Sequence, residues 1–389
     1  MVAGGLSIAP PNVPAYQVNE SQLIKNGISS LNRRDLSSAE SVFQGLVKQN
    51  PNSGLGWYWL GVTYLEANRN AEAEEALLKA AQLRPDSSEA YNALGILYDK
   101  QGLYAKSEPV FQHALKLKSD DTTALFNLGL SYQHQKRLPE AIERFTGILT
   151  FDEHYAKAYL QLGIANFDLG QYPEAQRWLE KYNALNPKDG FAYIKLGEVF
   201  FNLARYPDAV EAFKKAATLG PDTSHAFSQL GFTYYNLAQY PEAREVLEKA
   251  IAMDPKNANG HLYLGMILVD QGKRQDALSR FETVLQLEPQ NAEALYYEGY
   301  IYLMEHNLEK ALAQLQASIH YSPNNAKAYY ELALTYHQLN QPEKANDALQ
   351  SFRKLQALEQ EKLKKGKAYA AHERQAQDTG VEHQVPPTH

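Results

Sequence analysis

A pattern of 34 residues recurs along this chain without gaining or losing a residue, and nothing else in the sequence limits its fold so strongly. The unit reads most clearly from Ser224 to Asn257: Gln229-Leu230-Gly231-Phe232-Thr233-Tyr234, then Tyr240-Pro241-Glu242-Ala243, then Leu247, Ala250 and Pro255. Steps of 34 place Gly at 27, 61, 95, 129, 163, 197, 231, 265 and 299, with Ala333 in the tenth place. Twelve residues after each stands Ala39, Ala73, Ser107, Ala141, Ala175, Ala209, Ala243, Ala277, Ala311 or Ala345. Pro closes most units, at 51, 85, 187, 221, 255, 289 and 323. A period of this length means one supersecondary unit per repeat, stacked in a line.

Within a unit the apolar spacing names the elements. Trp57, Leu60, Gly61 and Tyr64 fall at i, i+3, i+4 and i+7, one stripe of an α-helix; Ala73, Leu77 and Ala80 make a second stripe after a break. Pro139, Pro173, Pro207 and Pro241 stand where several second helices begin. Proline costs no hydrogen bond in a first turn, and the Glu or Asp after it meets the positive end of the helix dipole. The closing Pro has no N–H to continue the helix. Each unit is therefore expected to be a helical hairpin. Gly inside a helix costs roughly 1 kcal/mol against Ala, so its recurrence calls for close approach of the partner helix. The Ala of the second helix is the expected neighbour.

Composition removes several classes. A mean hydropathy of −0.48 and the lack of any apolar run near the roughly 18 residues a bilayer needs argue against a spanning helix. A formal net charge of −7 argues against nucleic acid as a partner. There is no Cys, hence no thiol chemistry and no Cys-based metal site. No Gly-rich phosphate loop, HExxH or Gly-x-Ser-x-Gly motif occurs. His225 and His261 lie in consecutive units without an evident third ligand. The expectation is no enzyme, no cofactor and no metal.

The combination of Trp, Leu-Gly and Tyr in the first helix with Ala, an aromatic, Ala and Pro in the second resembles the tetratricopeptide repeat family. The resemblance covers ten units: 20–53, 54–87, 88–121, 122–155, 156–189, 190–223, 224–257, 258–291, 292–325 and 326–359. It implies an all-α fold, a right-handed superhelical α-solenoid of tandem helix-turn-helix repeats. The first unit departs, with Asn26 and Ser30 where Leu and Tyr are usual, as does Asn166 further on. Residues 1–19 have no charged side chain and three prolines, and are expected to be an extended or disordered leader. Leu349, Phe352, Leu355 and Leu358 extend the last stripe past its missing Pro. A capping helix is expected to break at Gly366 and to end by about residue 375, with Lys362, Lys364, Lys365 and Lys367 upon it and a disordered tail over 376–389. The cytoplasm is the expected compartment, with export the alternative if Val2–Ala9 is the end of a clipped signal.

The resemblance also implies that the first helices line a concave groove, with a groove-facing stripe three before, one after and four after each Gly. Polar residues hold six of those places, Asn92, Asp99, Gln133, Glu198, Ser228 and His337, and none is Lys or Arg. This departs from the carboxylate clamp with which some relatives hold acidic tails, and the Asn ladder of the glycosyl-transferring relatives is also missing. An aromatic stripe remains, richest in the second half: Phe167, Phe201, Phe232, Tyr235, Met266, Tyr296, Tyr300 and Tyr330, with Tyr263 and Tyr297 beside it. It is expected to hold a peptide or helix of a partner protein, with weak dependence on salt. The alternatives are self-assembly into a homo-oligomer, the leader near Tyr16 filling the groove of a neighbouring copy, or an accessory role in an export or surface-polymer assembly.

Overall fold

The computed structural model describes residues 15–220 and 223–378, and side chains from Asn19 to Glu361 except those of 221, 222 and 359. The expected closing Pro221, the leader over 1–14 and the tail over 379–389 lie outside the described residues, as do the side chains of Tyr16, Lys362, Lys364, Lys365 and Lys367. Among the described residues all regular structure is helical. The chain divides into two units, residues 1–187 and 188–389.

Unit 1 holds α1 (Ala15–Asn32), α2 (Leu36–Gln49), α3 (Gly54–Glu66), α4 (Asn70–Leu83), α5 (Ser88–Lys100), α6 (Tyr104–Leu117), α7 (Thr122–His134), α8 (Leu138–Phe151), α9 (Ala156–Asp168) and α10 (Tyr172–Leu185). Unit 2 holds α11 (Gly190–Asn202), α12 (Tyr206–Ala216), α13 (Thr223–Asn236), α14 (Tyr240–Met253), α15 (Ala258–Asp270), α16 (Arg274–Leu287), α17 (Ala292–Met304), α18 (Leu308–Tyr321), α19 (Ala326–Gln338) and α20 (Pro342–Asp378). In both, each odd helix packs antiparallel on the even helix after it and each even helix on the next odd one, so each unit is a run of α-solenoid.

The hairpin ends follow from local chemistry. Ser53, Ser87, Asp121, Asp189, Asn257, Asn291 and Asn325 accept backbone N–H bonds at the starts of odd helices. Pro139, Pro173, Pro207 and Pro241 occupy the first turns of α8, α10, α12 and α14. Between the helices of each hairpin, seven residues after the repeat Gly, one residue takes the left-handed conformation: Arg34, Asn68, Gly102, Lys136, Gly170, Ala204, Ala238, Gly272, His306 and Asn340. The next N–H then reaches back to the last helical turn, as from Gln239 to the Tyr234 carbonyl at 2.9 Å. Ala238 holds this strained place at φ 56° with no polar side chain to help it. Ala238→Gly is expected to stabilise by about 0.5–1 kcal/mol, read as a raised urea midpoint; an unchanged or lower midpoint would count against strain at this turn.

The structure corrects the expected neighbour of the repeat Gly. It is not the small Ala but the large residue sixteen places on: Phe43, Leu77, Phe111, Phe145, Leu179, Phe213, Leu247, Phe281 or Leu315. These side chains are fully buried and fill the volume a Cβ on the Gly would take. The Ala column is buried as well, under the same contact.

Two boundaries also move. Helix α1 begins at Ala15, inside the stretch expected to be extended. Helix α20 does not break at Gly366 but runs on to Asp378. One Gly among Lys, Ala and Leu costs a helix only about 1 kcal/mol, and no Pro lies between Gly366 and Asp378 to stop it. Early in α20, Leu349 packs against the core beneath α19 and the Phe352 ring lies 5.4 Å from that of Tyr330.

Candidate partner-binding groove

In unit 2 consecutive odd helices touch, α11 on α13, α13 on α15, α15 on α17 and α17 on α19, while among the described residues no pair of even helices makes a comparable contact. The row packed more tightly is the inner one, so the odd helices form the concave side of this unit. Nine of the ten aromatic and Met residues expected in the groove lie here; Phe167 lies in α9 of unit 1, its ring edge-on to Tyr172 at 5.6 Å.

Four of the nine form one run of rings across three helices. Phe201 stacks on Phe232 at 5.2 Å, Phe232 on Tyr263 at 4.4 Å, and Tyr235 lies parallel to Phe232 at 6.3 Å. Tyr206 and Tyr240, from the even helices, close on this run edge-on at 5.2 and 5.8 Å. The stack exists because the place one after the Gly in α13 lies between the place four after in α11 and two before in α15. In α17, Tyr296 lies 5.0 Å from Tyr297 and 6.4 Å from Tyr300, ring to ring. Tyr297 stacks back on Phe281 of the preceding hairpin at 5.2 Å, so one of its faces belongs to the core.

The set is therefore divided between packing and surface. Met266 is 5% exposed and sits in the core cluster, offering little to a ligand. Phe201, Phe232, Tyr235, Tyr263, Tyr296, Tyr297 and Tyr300 are half-buried, and Tyr330 is 41% exposed. Burial raises the phenols of Tyr235, Tyr296 and Tyr297 and pushes Tyr263 up to about 12. All four are thus neutral hydrogen-bonding groups at physiological pH. A cavity of about 900 Å³ opens beside Tyr296 and Tyr297, bounded by Glu293, Lys327, and Leu355 and Leu358 of α20.

Four charged residues escaped the stripe on which the sequence reading rested. Asp270 ends α15, Glu293 and Lys327 stand six before the repeat position in α17 and α19, and Glu331 stands two before it. The signal was present in the sequence, in columns flanking the one chosen. In unit 1 the same face carries a different set: Asn127 donates to Asn92 at 3.0 Å, and His134 Nδ1 lies 3.0 Å from Asp99. His261 is turned into the core, its Nε2 3.2 Å from the Pro255 carbonyl. Among the described residues no three His, Asp or Glu gather as a metal would need, and no helix is long and apolar enough to cross a membrane.

Residues 140–375 match the family model described as the C-terminal domain of cilia and flagella-associated protein 70, and residues 24–88 and 92–156 match the model described as tetratricopeptide repeat. Among solved structures the chain is similar to PilW, a type IV pilus biogenesis factor, at 18% identity over 53% of this chain and 97% of that one, with a TM-score of 0.50. It is similar to a chain of the APC/C hetero-tetramer Cut9-Hcn1 at 15% identity, over 86% and 93%, with a TM-score of 0.49. It is also similar to yeast Tom70 at 15% identity, over 93% and 97%, with a TM-score of 0.46. At such identities the likeness extends to the fold alone. No match is found among curated proteins.

Proposed function

We propose, from the premise that the chain belongs to the tetratricopeptide repeat family, that it is a non-catalytic scaffold holding a peptide or helix of a partner protein in the aromatic groove of unit 2. Repeats of this family generally mediate protein–protein contacts and are generally not catalytic. The observation that carries the finer reading is the row of half-buried rings on the inner helices, from Phe201 through Phe232 and Tyr263 to Tyr296, with the exposed Tyr330 beyond them. Packing between hairpins covers both faces of Phe232, which lies between Phe201 and Tyr263, but only one face of Tyr297, against Phe281. The rest remains as rigid apolar area with neutral phenol tips, the surface from which protein interfaces draw their strongest contacts.

The test is a selection of binders from a random peptide library on the full chain, followed by affinity measurements with Tyr296→Ala/Tyr300→Ala. The selected peptides are expected to lose affinity about thirtyfold or more, the lower range of aromatic hot spots. The variant should keep its helical signal, because Leu295, Gly299 and Ile301, which hold α17 in the core, are unchanged. Undiminished affinity in a folded variant would place the binding surface elsewhere.

A further inference from the structure

The groove of unit 2 is not only apolar. Glu293 lines one cavity with Tyr296, Tyr297 and Lys327, the Tyr235 phenol donates to Asp270, and Glu331 lies within electrostatic reach of Tyr296, so three carboxylates border the rings described above. A fourth, Glu198, is held by Lys195 at 2.8 Å. Lys327 stands beside Glu293 and offsets part of its charge. The balance among Asp270, Glu293, Glu331 and Lys327 is three negative charges against one positive.

The behaviour of these groups points the same way. Glu293 lies in the first turn of α17, where the helix dipole favours an ionised acid. Partial burial of its carboxyl nevertheless raises it, with Lys327 opposing, although the residue as a whole stays open to solvent. Burial raises Glu331 too. An excess of negative charge beside neutral aromatic faces is an arrangement that a cation completes, the charged head meeting carboxylate and its flat or aliphatic stem lying on a ring. The cavity of about 900 Å³ beside Glu293, Tyr296 and Tyr297 has room for a long side chain.

We infer that the segment held in this groove is cationic: a peptide whose arginine or lysine side chains lie against Asp270, Glu293 and Glu331 while its apolar residues lie on the rings of Phe201, Phe232, Tyr263 and Tyr296. The inference rests on the groove proposed above and adds the chemistry of its ligand. An acidic segment would bring like charges together and be disfavoured. Binding must also weaken with salt, in place of the weak dependence that the apolar stripe alone implied.

Three short fluorescent peptides, alternating leucine with arginine, glutamine or glutamate, titrated by anisotropy into the full chain, test this. The arginine peptide is expected to bind about tenfold tighter than the glutamine peptide, and the glutamate peptide weakest. Glu293→Gln/Glu331→Gln, near-isosteric and checked by its melting curve, should bring the arginine peptide down toward the glutamine peptide and flatten its salt dependence. The glutamine peptide should be unaffected. Equal affinity for the arginine and glutamine peptides, or no saturable binding of the arginine peptide, overturns the inference. In the first case Tyr296→Ala/Tyr300→Ala separates the two readings: loss of all binding keeps the groove and rejects its charge preference, whereas unchanged binding rejects the groove.

Discussion

Gly231→Leu is expected to destabilise the chain by about 3 kcal/mol or more, and Gly147→Ala to stabilise it by up to about 1 kcal/mol. Both are glycines within helices, α13 and α8. A Cβ at Gly231 would lie 2.5 Å from Leu247 Cγ, and Leu247 is fully buried with no room to retreat. A leucine adds three further carbons to that space, so α13 and α14 must part, and the loss spreads to the hairpins on either side. At Gly147 nothing lies within 4 Å of the added carbon, so the substitution removes only the entropic penalty of glycine in a helix. Urea midpoints followed by circular dichroism separate the two. Equal midpoints for Gly231→Leu and the parent would mean that the hairpin contact is not tight there, and the reading of the repeat glycines would fail with it.

That contrast shows what a single sequence makes legible. Period, hairpins, first-turn prolines and closing prolines are local and repeated, so each copy checks the others. The close approach at Gly was legible, but its partner was not: Ala and the residue four places later are on one stripe, and only the packing of the two helices decides which covers the Gly. The left-handed residue seven after each Gly was hidden because only Gly102, Gly170 and Gly272 declare it, while Ala204 and Ala238 take the same conformation under tertiary pressure. At the candidate site the aromatic residues were legible as a set. Their division was not, because Met266 and Tyr330 occupy equivalent inner-helix faces yet one is sealed by its neighbours and the other lies near the end of the array. The carboxylates were overlooked for a plainer reason, that a groove is wider than one stripe.

Glu298 gives the second large effect. Eight of the ten repeats place a buried Leu immediately before the repeat Gly or its Ala333 equivalent, at 60, 94, 128, 162, 196, 230, 264 and 332; α17 places Glu298 there, 3% exposed. Burial, and then the neighbouring Glu282 of α16, push its carboxyl up to about 7, with Lys310 of α18 opposing. The folded state therefore holds this proton more tightly than the unfolded chain, whose glutamate titrates near 4.5. Below about pH 4.5 the carboxyl is protonated in both states and costs nothing. As pH rises toward 7 the unfolded chain ionises first, and stability falls by up to about 3 kcal/mol, then stays level once the folded group has also ionised. Glu293 and Glu331 shift in the same direction, whereas Glu72, Glu89 and Glu140 shift in the other, so the quantity to read is the difference between variant and parent. Glu298→Gln is expected to exceed the parent by about 2–3 kcal/mol at pH 8 and by much less at pH 4.5, and Glu298→Leu, which restores the column, to gain at least as much. Urea midpoints taken across that range would show two curves converging in acid. Parallel curves would mean that water reaches Glu298 freely, and that α17 departs from the Leu of its neighbours at little cost.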